Sequence, residues 1–416
     1  MKIKQLTVAN LRAFDQASFD FDPGFTLLVG VNGVGKTTAL ETLRICLSRL
    51  LPQFTASRSR PDAFDNDDIQ VGASALTVDL DLSIMGEPHQ LLIHKQRDQH
   101  RPDKPGSVRQ DTVDTPDREV LTPDFGSTAK ALKSADKQPI AVYFATRRSL
   151  VSDEQPKTSR ASGGQAAAFA DALVERPLRL AEFASWMHAQ DVLSAELPRA
   201  KLHLDAMRSA ASRFLPNCSD LRAEVDNRPR LLVEKQGHTL DVRQLSDGER
   251  SMLALVLDLA RRLSQANPGL DDPVRDGQGV VLIDEIDLHL HPQWQRKVVS
   301  HLSETFPNCQ FIATTHSPQV IGEVPHEKIQ MIKDGQVHSP SRSFGIDSSR
   351  VLEELMDTAP RNQRVEEQIG QIARLVTDGK RAEAEAKIGA LAREIGESDP
   401  EITRARTLLD FMEDDT

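Results

Sequence analysis

The sequence predicts an α/β fold: a mixed sheet with a phosphate-binding loop, antiparallel N-terminal strands, an inserted helical lobe and an all-helical C-terminal appendage. Three observations lead there. Apolar runs such as FTLLVG, PIAVYF, GVVLI and QFIATT stop abruptly at glycine or polar residues, as buried strands do. IKQLTV and ALTVDLDLSI alternate apolar and polar residues, the mark of strands with one wet face. From Asp347 onward strand signals stop and apolar residues recur at helical spacing.

Taken in order, Lys2 to Val29 holds the strands IKQLTV, ASFDFD and FTLLVG, with a turn at Asp22-Pro23-Gly24. KTTALETLRICLSRLL is helical through Leu40, Leu43, Cys46, Leu47 and Leu50. ALTVDLDLSI then pairs with HQLLIHKQR. Residues from about 97 to 138 are rich in Asp, Pro, Lys, Ser and Gly, too polar to fold alone, and a mobile insertion is expected. A helical lobe containing Trp186 is expected at about 155–220, followed by the strands LRAEV and RLLVEK and a long helix from Asp247 to Gln265. KIQMIKDGQV reads as a strand pair about Lys333-Asp334-Gly335. In 346–416 three stripes stand out: Val365, Ile369, Ile372, Val376; Ala384, Ile388, Leu391, Ile395; and Ile402, Ala405, Leu409, Met412. They suit either helices folded back on their own chain or a dock for a partner protein, and without a basic stripe they suit DNA poorly.

Composition narrows the class. The formal net charge of −11 over 416 residues argues against a chain coated in positive charge, while leaving room for a local basic groove. Aromatics make up 4%, too few for base-stacking platforms to dominate. Cys46, Cys218 and Cys309 are far apart and form no CxxC pair, which suits a reducing compartment. The N-terminus lacks the apolar core of a signal peptide and no run approaches a membrane span, so a cytoplasmic chain away from membranes is expected.

Two stretches carry chemistry. GVNGVGKTT sets Gly30, Gly35, Lys36 and Thr37 in the GxxxxGK[ST] pattern, between a strand and a helix as the motif requires. Amides of Asn32, Gly33, Val34, Gly35, Lys36, Thr37 and Thr38 then surround a phosphate at a helix N-terminus, Lys36 adds a positive charge, and Thr37 is placed for Mg²⁺. In GVVLIDEIDLHLHP four aliphatic residues run into Asp284 and Glu285. A strand parallel and adjacent to the phosphate-loop strand would bring Asp284 to the metal, while Glu285 orients the attacking water. His289 and His291 form an HxH pair without a third ligand at zinc spacing, so packing or hydrogen bonding is expected of them. LSDGER opens the long helix, with Ser246 and Asp247 as natural caps and Glu249 in its first turn.

Together with these stretches, LSDGER resembles the signature motif of ATP-binding-cassette ATPases, with Asp247 for the first glycine and Glu249 for the glutamine. TTHSP resembles the switch histidine of that class, His316, and IDLH resembles its D-loop, with Asp287. The resemblance implies an ATPase head over 1–345 that works with ATP and Mg²⁺, with Lys36, Glu285 and His316 in catalysis. It also implies a head-to-tail dimer in which Ser246 and Gly248 of one subunit complete the site of the other. One element departs: no glutamine ends PIAVYFATRRS, which offers Thr146, Arg147 and Arg148, and only Gln70 and Gln96 could substitute. Phe14 is the candidate for adenine contact.

IKQLTVANLRAF, with Asn10, Arg12 and Phe14, resembles the RecF and overcoming-lysogenization-defect branch, here without a long coiled coil or a Toprim domain. Over the whole length, VYFATRRS, DEIDLHLHPQWQ, SFGIDSSRVLEELMD and IGESDPEITRARTLLDFME resemble the PtuA-type ATPases of Septu and retron anti-phage defence systems. That implies a separate HNH nuclease as partner, an assembly larger than a dimer, and DNA or a retron nucleic acid nearby. Two other functions fit the motifs. A RecF-like repair ATPase would use Arg58, Arg60, Arg147, Arg148 and Arg160 on DNA. An ATP-bound scaffold would turn over little.

Overall fold

The computed structural model describes residues 1–97, 117–149, 164–215, 218–226 and 228–414. Strands β1 (Lys2–Leu11) and β2 (Phe14–Asp20) precede β3 (Phe25–Val29) and helix α1 (Lys36–Phe54). Next come β4 (Ala75–Ile84), β5 (Glu87–Gln96), β6 (Arg118–Thr122), α2 (Ala129–Lys133) and β7 (Ile140–Phe144). The lobe contains α3 (Ala166–Phe169), α4 (Leu180–Leu193), α5 (Pro198–Phe214), β8 (Cys218–Val225), β9 (Pro229–Lys235) and β10 (His238–Asp241). The chain returns through α6 (Asp247–Ala266), α7 (Pro273–Asp276), β11 (Gly279–Ile283), α8 (Pro292–Gln295), α9 (Val298–Thr305) and β12 (Cys309–Thr315). It continues with α10 (Pro318–Ile321), β13 (Ile329–Lys333), β14 (Gln336–His338), α11 (Ser348–Met356), α12 (Gln363–Thr377), α13 (Arg381–Ile395) and α14 (Pro400–Asp414).

The central sheet runs β14-β13-β3-β12-β11-β7 and is parallel except for β14. Every residue of β3, β7, β11 and β12 is buried, which is why these strands read as unbroken apolar runs. The expected adjacency of the two site strands is corrected here. β12 lies between β3 and β11, pairing Phe311 with Phe25 on one side and with Val281 on the other.

An antiparallel sheet, β2-β1-β4-β5-β6, holds the alternating segments, and β4 alternates half-buried and buried residues along its length. The expectation of a mobile insertion over 97–138 is also corrected. From residue 117 on the segment is ordered: β6 pairs with β5, and Asp117 and Glu119 both reach Arg49 on α1, Glu119 at 3.1 Å. The charges that looked soluble are partners of a buried cation; residues 98–116 lie outside the described residues.

In the lobe α4 packs on β8 and β9, and α5 packs on α6. β10, four residues long, has no clear signal in the sequence; it closes the three-stranded sheet β10-β9-β8. α6 begins with a capping box, in which the Ser246 hydroxyl oxygen accepts from the Glu249 amide and the Glu249 carboxylate accepts from the Ser246 amide. Inside α6, Asp258 binds Arg262 at 2.7 Å and Arg261 at 2.6 Å, and Arg176 stands 3.7 Å away. Burial alone would push the Asp258 carboxyl up, but the three guanidiniums outweigh it and hold it well below the usual carboxylate range.

Residues 1–346 form one compact unit and 347–416 a second. Within the second, α12, α13 and α14 pack on one another around Ile372, Val376, Ala384, Ile388, Leu391, Ile402 and Leu409. Arg361 grips Asp399 with two bonds, at 2.9 and 3.2 Å. The Met412 side chain lies outside the described residues. Among the described residues no helix is long and apolar enough to cross a membrane.

Candidate nucleotide-binding site

β3 ends at Val29 and the chain loops through Gly30–Gly35 into α1. Gly35 sits at φ 108, and a Cβ there would come within 2.4 Å of the Phe14 ring. Only glycine fits both the dihedral and the gap. Phe14 is fully buried, edge-on to Phe19 at 5.7 Å, and so floors the loop. The expected adenine contact by Phe14 is thereby overturned, because the ring has no exposed face.

Lys36 curls into its own loop, donating to the carbonyls of Gly30 at 2.8 Å and Val31 at 2.9 Å. Burial pushes its ammonium down to about 8, against the pull of Asp284, Glu285 and Asp287. The Thr37 hydroxyl donates to both oxygens of Asp284, at 3.3 and 3.2 Å. The two motifs thus meet although their strands are not neighbours. The intervening strand supplies the join: the Thr314 hydroxyl donates to Asp284 at 2.6 Å and accepts from the Glu285 amide at 2.7 Å. The next residue, Thr315, donates to Asp287. His316 follows, half-buried, and burial and then the charge of Lys36 hold its imidazole below its ordinary value, favouring the neutral ring.

Glu285 lies in the left-handed region at φ 49. Its turn is held by the Asp284 amide donating to Phe144 O at 2.9 Å and the Ile286 amide donating to Thr314 O at 2.9 Å. Arg148, 3% exposed in the 3-10 turn after β7, approaches from the other side. It donates to the carbonyls of Asp284, Glu285 (2.5 Å) and Ala145 (3.1 Å). Burial pushes this guanidinium down to about 10, opposed by the nearby acids.

At the start of α6 the Ser246 hydroxyl donates to Glu249 at 2.9 Å, and Lys235 on β9 binds the same carboxylate at 2.6 Å. A Cβ on Gly248 would stand 2.6 Å from the carbonyl oxygen of His289, itself at φ 60. Gly248 is thus a point of close approach within one chain. Among the described residues, no hydrogen bond joins Ser246 or Gly248 to Asn32–Thr38. His291 caps α8, its Nδ1 accepting from the Gln293 amide at 3.3 Å.

Gln70, in the loop before β4, donates to Asp15 on β2, and Gln96 pairs with Ala75 at the end of β5. Of the arginines considered for DNA, Arg148 is buried, Arg147 meets Glu175 at 3.3 Å, Arg58 and Arg60 are exposed, and Arg160 lies outside the described residues. Sequence reasoning missed Thr314, Lys235 and the inward turn of Arg148. The one available signal was a threonine pair closing an otherwise apolar strand.

The chain is similar to several known proteins. A probable ATPase of retron Ec83 from Escherichia coli is 28% identical over 100% of this chain and 88% of its own length. The Septu protein PtuA of Bacillus thuringiensis is 26% identical over 77% of this chain and 72% of its own. Among solved structures, an Smc head domain from Pyrococcus furiosus is 14% identical with a TM-score of 0.46, covering 85% of this chain and 99% of that one. Residues 25–322, which contain every motif of the site, match the family described as "AAA domain, putative AbiEii toxin, Type IV TA system", and the chain belongs to that family.

Proposed function

We propose that this chain binds and hydrolyses ATP with Mg²⁺, and that nucleotide-dependent head-to-tail dimerisation regulates a separate HNH nuclease in anti-phage defence. The observation that carries the reading is the convergence of Thr37, Thr314 and Asp284, beside a loop that already cradles a lysine ammonium. The donor set fits a hard cation: a hydroxyl and a carboxylate, both oxygen, at the start of the helix that follows the glycine loop. Thr37 and Asp284 would hold Mg²⁺, which shields phosphate charge when bound. Lys36 exchanges its two carbonyl partners for phosphate oxygens. Glu285 orients the attacking water, the neutral His316 ring offers a hydrogen bond at the γ-phosphate, and Asp287 belongs to the dimer contact. Ser246 and Gly248 serve the partner's nucleotide, which requires Ser246 to leave Glu249.

The defence setting is supported by the likeness to a retron ATPase and to Septu PtuA, each over most of the chain. The test is affinity capture of the Glu285→Gln chain from its host with ATP present, read by mass spectrometry. An HNH nuclease recovered in stoichiometric amount is the expected result. Recombination proteins, or DNA without a nuclease, would move the assignment to a RecF-like role.

A further inference from the structure

We propose that Arg148 is a positioning residue for hydrolysis, acting through Glu285. This rests on the reading of Glu285 as the water-orienting group. The amide groups of the turn are tied to the strands on either side: Asp284 N to β7, and Glu285 N and Ile286 N to Thr314 on β12. Its carbonyls point the other way, and the donors facing them are the two prongs of Arg148, one on Asp284 O and one on Glu285 O. The Glu285 carbonyl has one further donor, the Leu288 amide at 3.0 Å.

The clamp matters because Glu285 is not glycine and stands at φ 49, a conformation that persists only where the surroundings fix it. A small rotation there would swing the carboxylate off the path of a water molecule, while the Asp284 carboxylate would stay held by Thr37 and Thr314. Arg148 therefore governs orientation at residue 285 more than nucleotide affinity. It stands where the sequence offered no glutamine, and it reaches main chain, so its task differs from contacting a metal. A rigid fork is needed to hold two carbonyls at once; lysine, a single point of charge on a flexible stem, cannot replace it.

The test compares wild type, Arg148→Lys, Arg148→Met, Glu285→Gln and the double variant Arg148→Lys/Glu285→Gln. Each is measured for ATP affinity by calorimetry, single-turnover hydrolysis and thermal melting. The expected result is an ATP Kd within about twofold of wild type and a hydrolysis rate lower by on the order of 10²-fold, the scale of a misplaced catalytic group. Arg148→Lys should add no further loss in the Glu285→Gln background, since both changes remove one function. An unchanged rate in both single Arg148 variants overturns the proposal. So does a loss that multiplies with Glu285→Gln, or the disappearance of cooperative melting in both Arg148 variants. Wild-type turnover in Glu285→Gln would instead sink the underlying reading of Glu285. That outcome is distinct from an inactive Glu285→Gln beside a fully active Arg148→Lys.

Discussion

Thr314 serves two neighbours with one hydroxyl, donating to Asp284 and accepting from the Glu285 amide. Valine has the same shape and neither function. Thr314→Val should therefore leave a buried amide unpaired and cost about 1–3 kcal/mol in urea unfolding, with Thr314→Ser close to wild type. Lys36→Ala removes the charge that Gly30 and Val31 now hold in place. Calorimetry should then detect no ATP binding at concentrations that saturate the wild type. At this scale the meeting of Lys36, Thr37 and Asp284 at one place, with Glu285 beside them, was legible, because each belongs to a motif of fixed spacing. Phe14 and Arg148 were not. Whether a ring or a guanidinium faces outward depends on what packs over it, here Gly35 and the β11 turn, and neither is near in sequence.

Helix α6 was foreseen from its cap and its apolar face, but its buried ion cluster was not. Asp258 and Arg262 are each 1% exposed, four residues apart, and look like an ordinary surface pair in sequence. Replacing the acid alone strands a buried cation, so Asp258→Asn should destabilise by about 3 kcal/mol in denaturant titration. The pH dependence has a definite sign. The folded carboxyl ionises below its unfolded value, so its stabilisation is complete at neutral pH and is lost as pH falls from about 4 toward the lower folded value, beneath the ordinary carboxylate range. Asp258→Asn should flatten that part of the stability–pH curve. β6 and the order of the central strands escaped sequence reasoning for a shared reason: pairing is a long-range choice. β6 is held by β5 and by Arg49 on α1, while β12 separates two strands that motif logic alone would place side by side.

The molecule divides at residue 346 into two units with separate apolar cores. Helical periodicity was enough to find the second, since each stripe contributes to its core. Ile388→Asp should melt this unit early, seen as a lost low-temperature transition in calorimetry, and leave the ATP Kd unchanged. For the first unit, light scattering should show the mass of Glu285→Gln doubling when ATP is added and that of Lys36→Ala staying monomeric; a Glu285→Gln mass that ignores ATP would argue against nucleotide-driven pairing.

The pairing of β3 with β12 and β13 has a consequence for how the protein is made. β3 is synthesised within the first 29 residues, yet its two neighbours span 309–315 and 329–333. At ordinary elongation rates of about 5–20 residues per second, the phosphate loop waits roughly 15 to 60 s on the ribosome for the strands that flank it. Until then that apolar strand lacks both of its partners, and crosslinking of stalled nascent chains should recover chaperones that cover such segments. ATP cannot rescue it earlier, because Asp284 and Thr314 have yet to arrive.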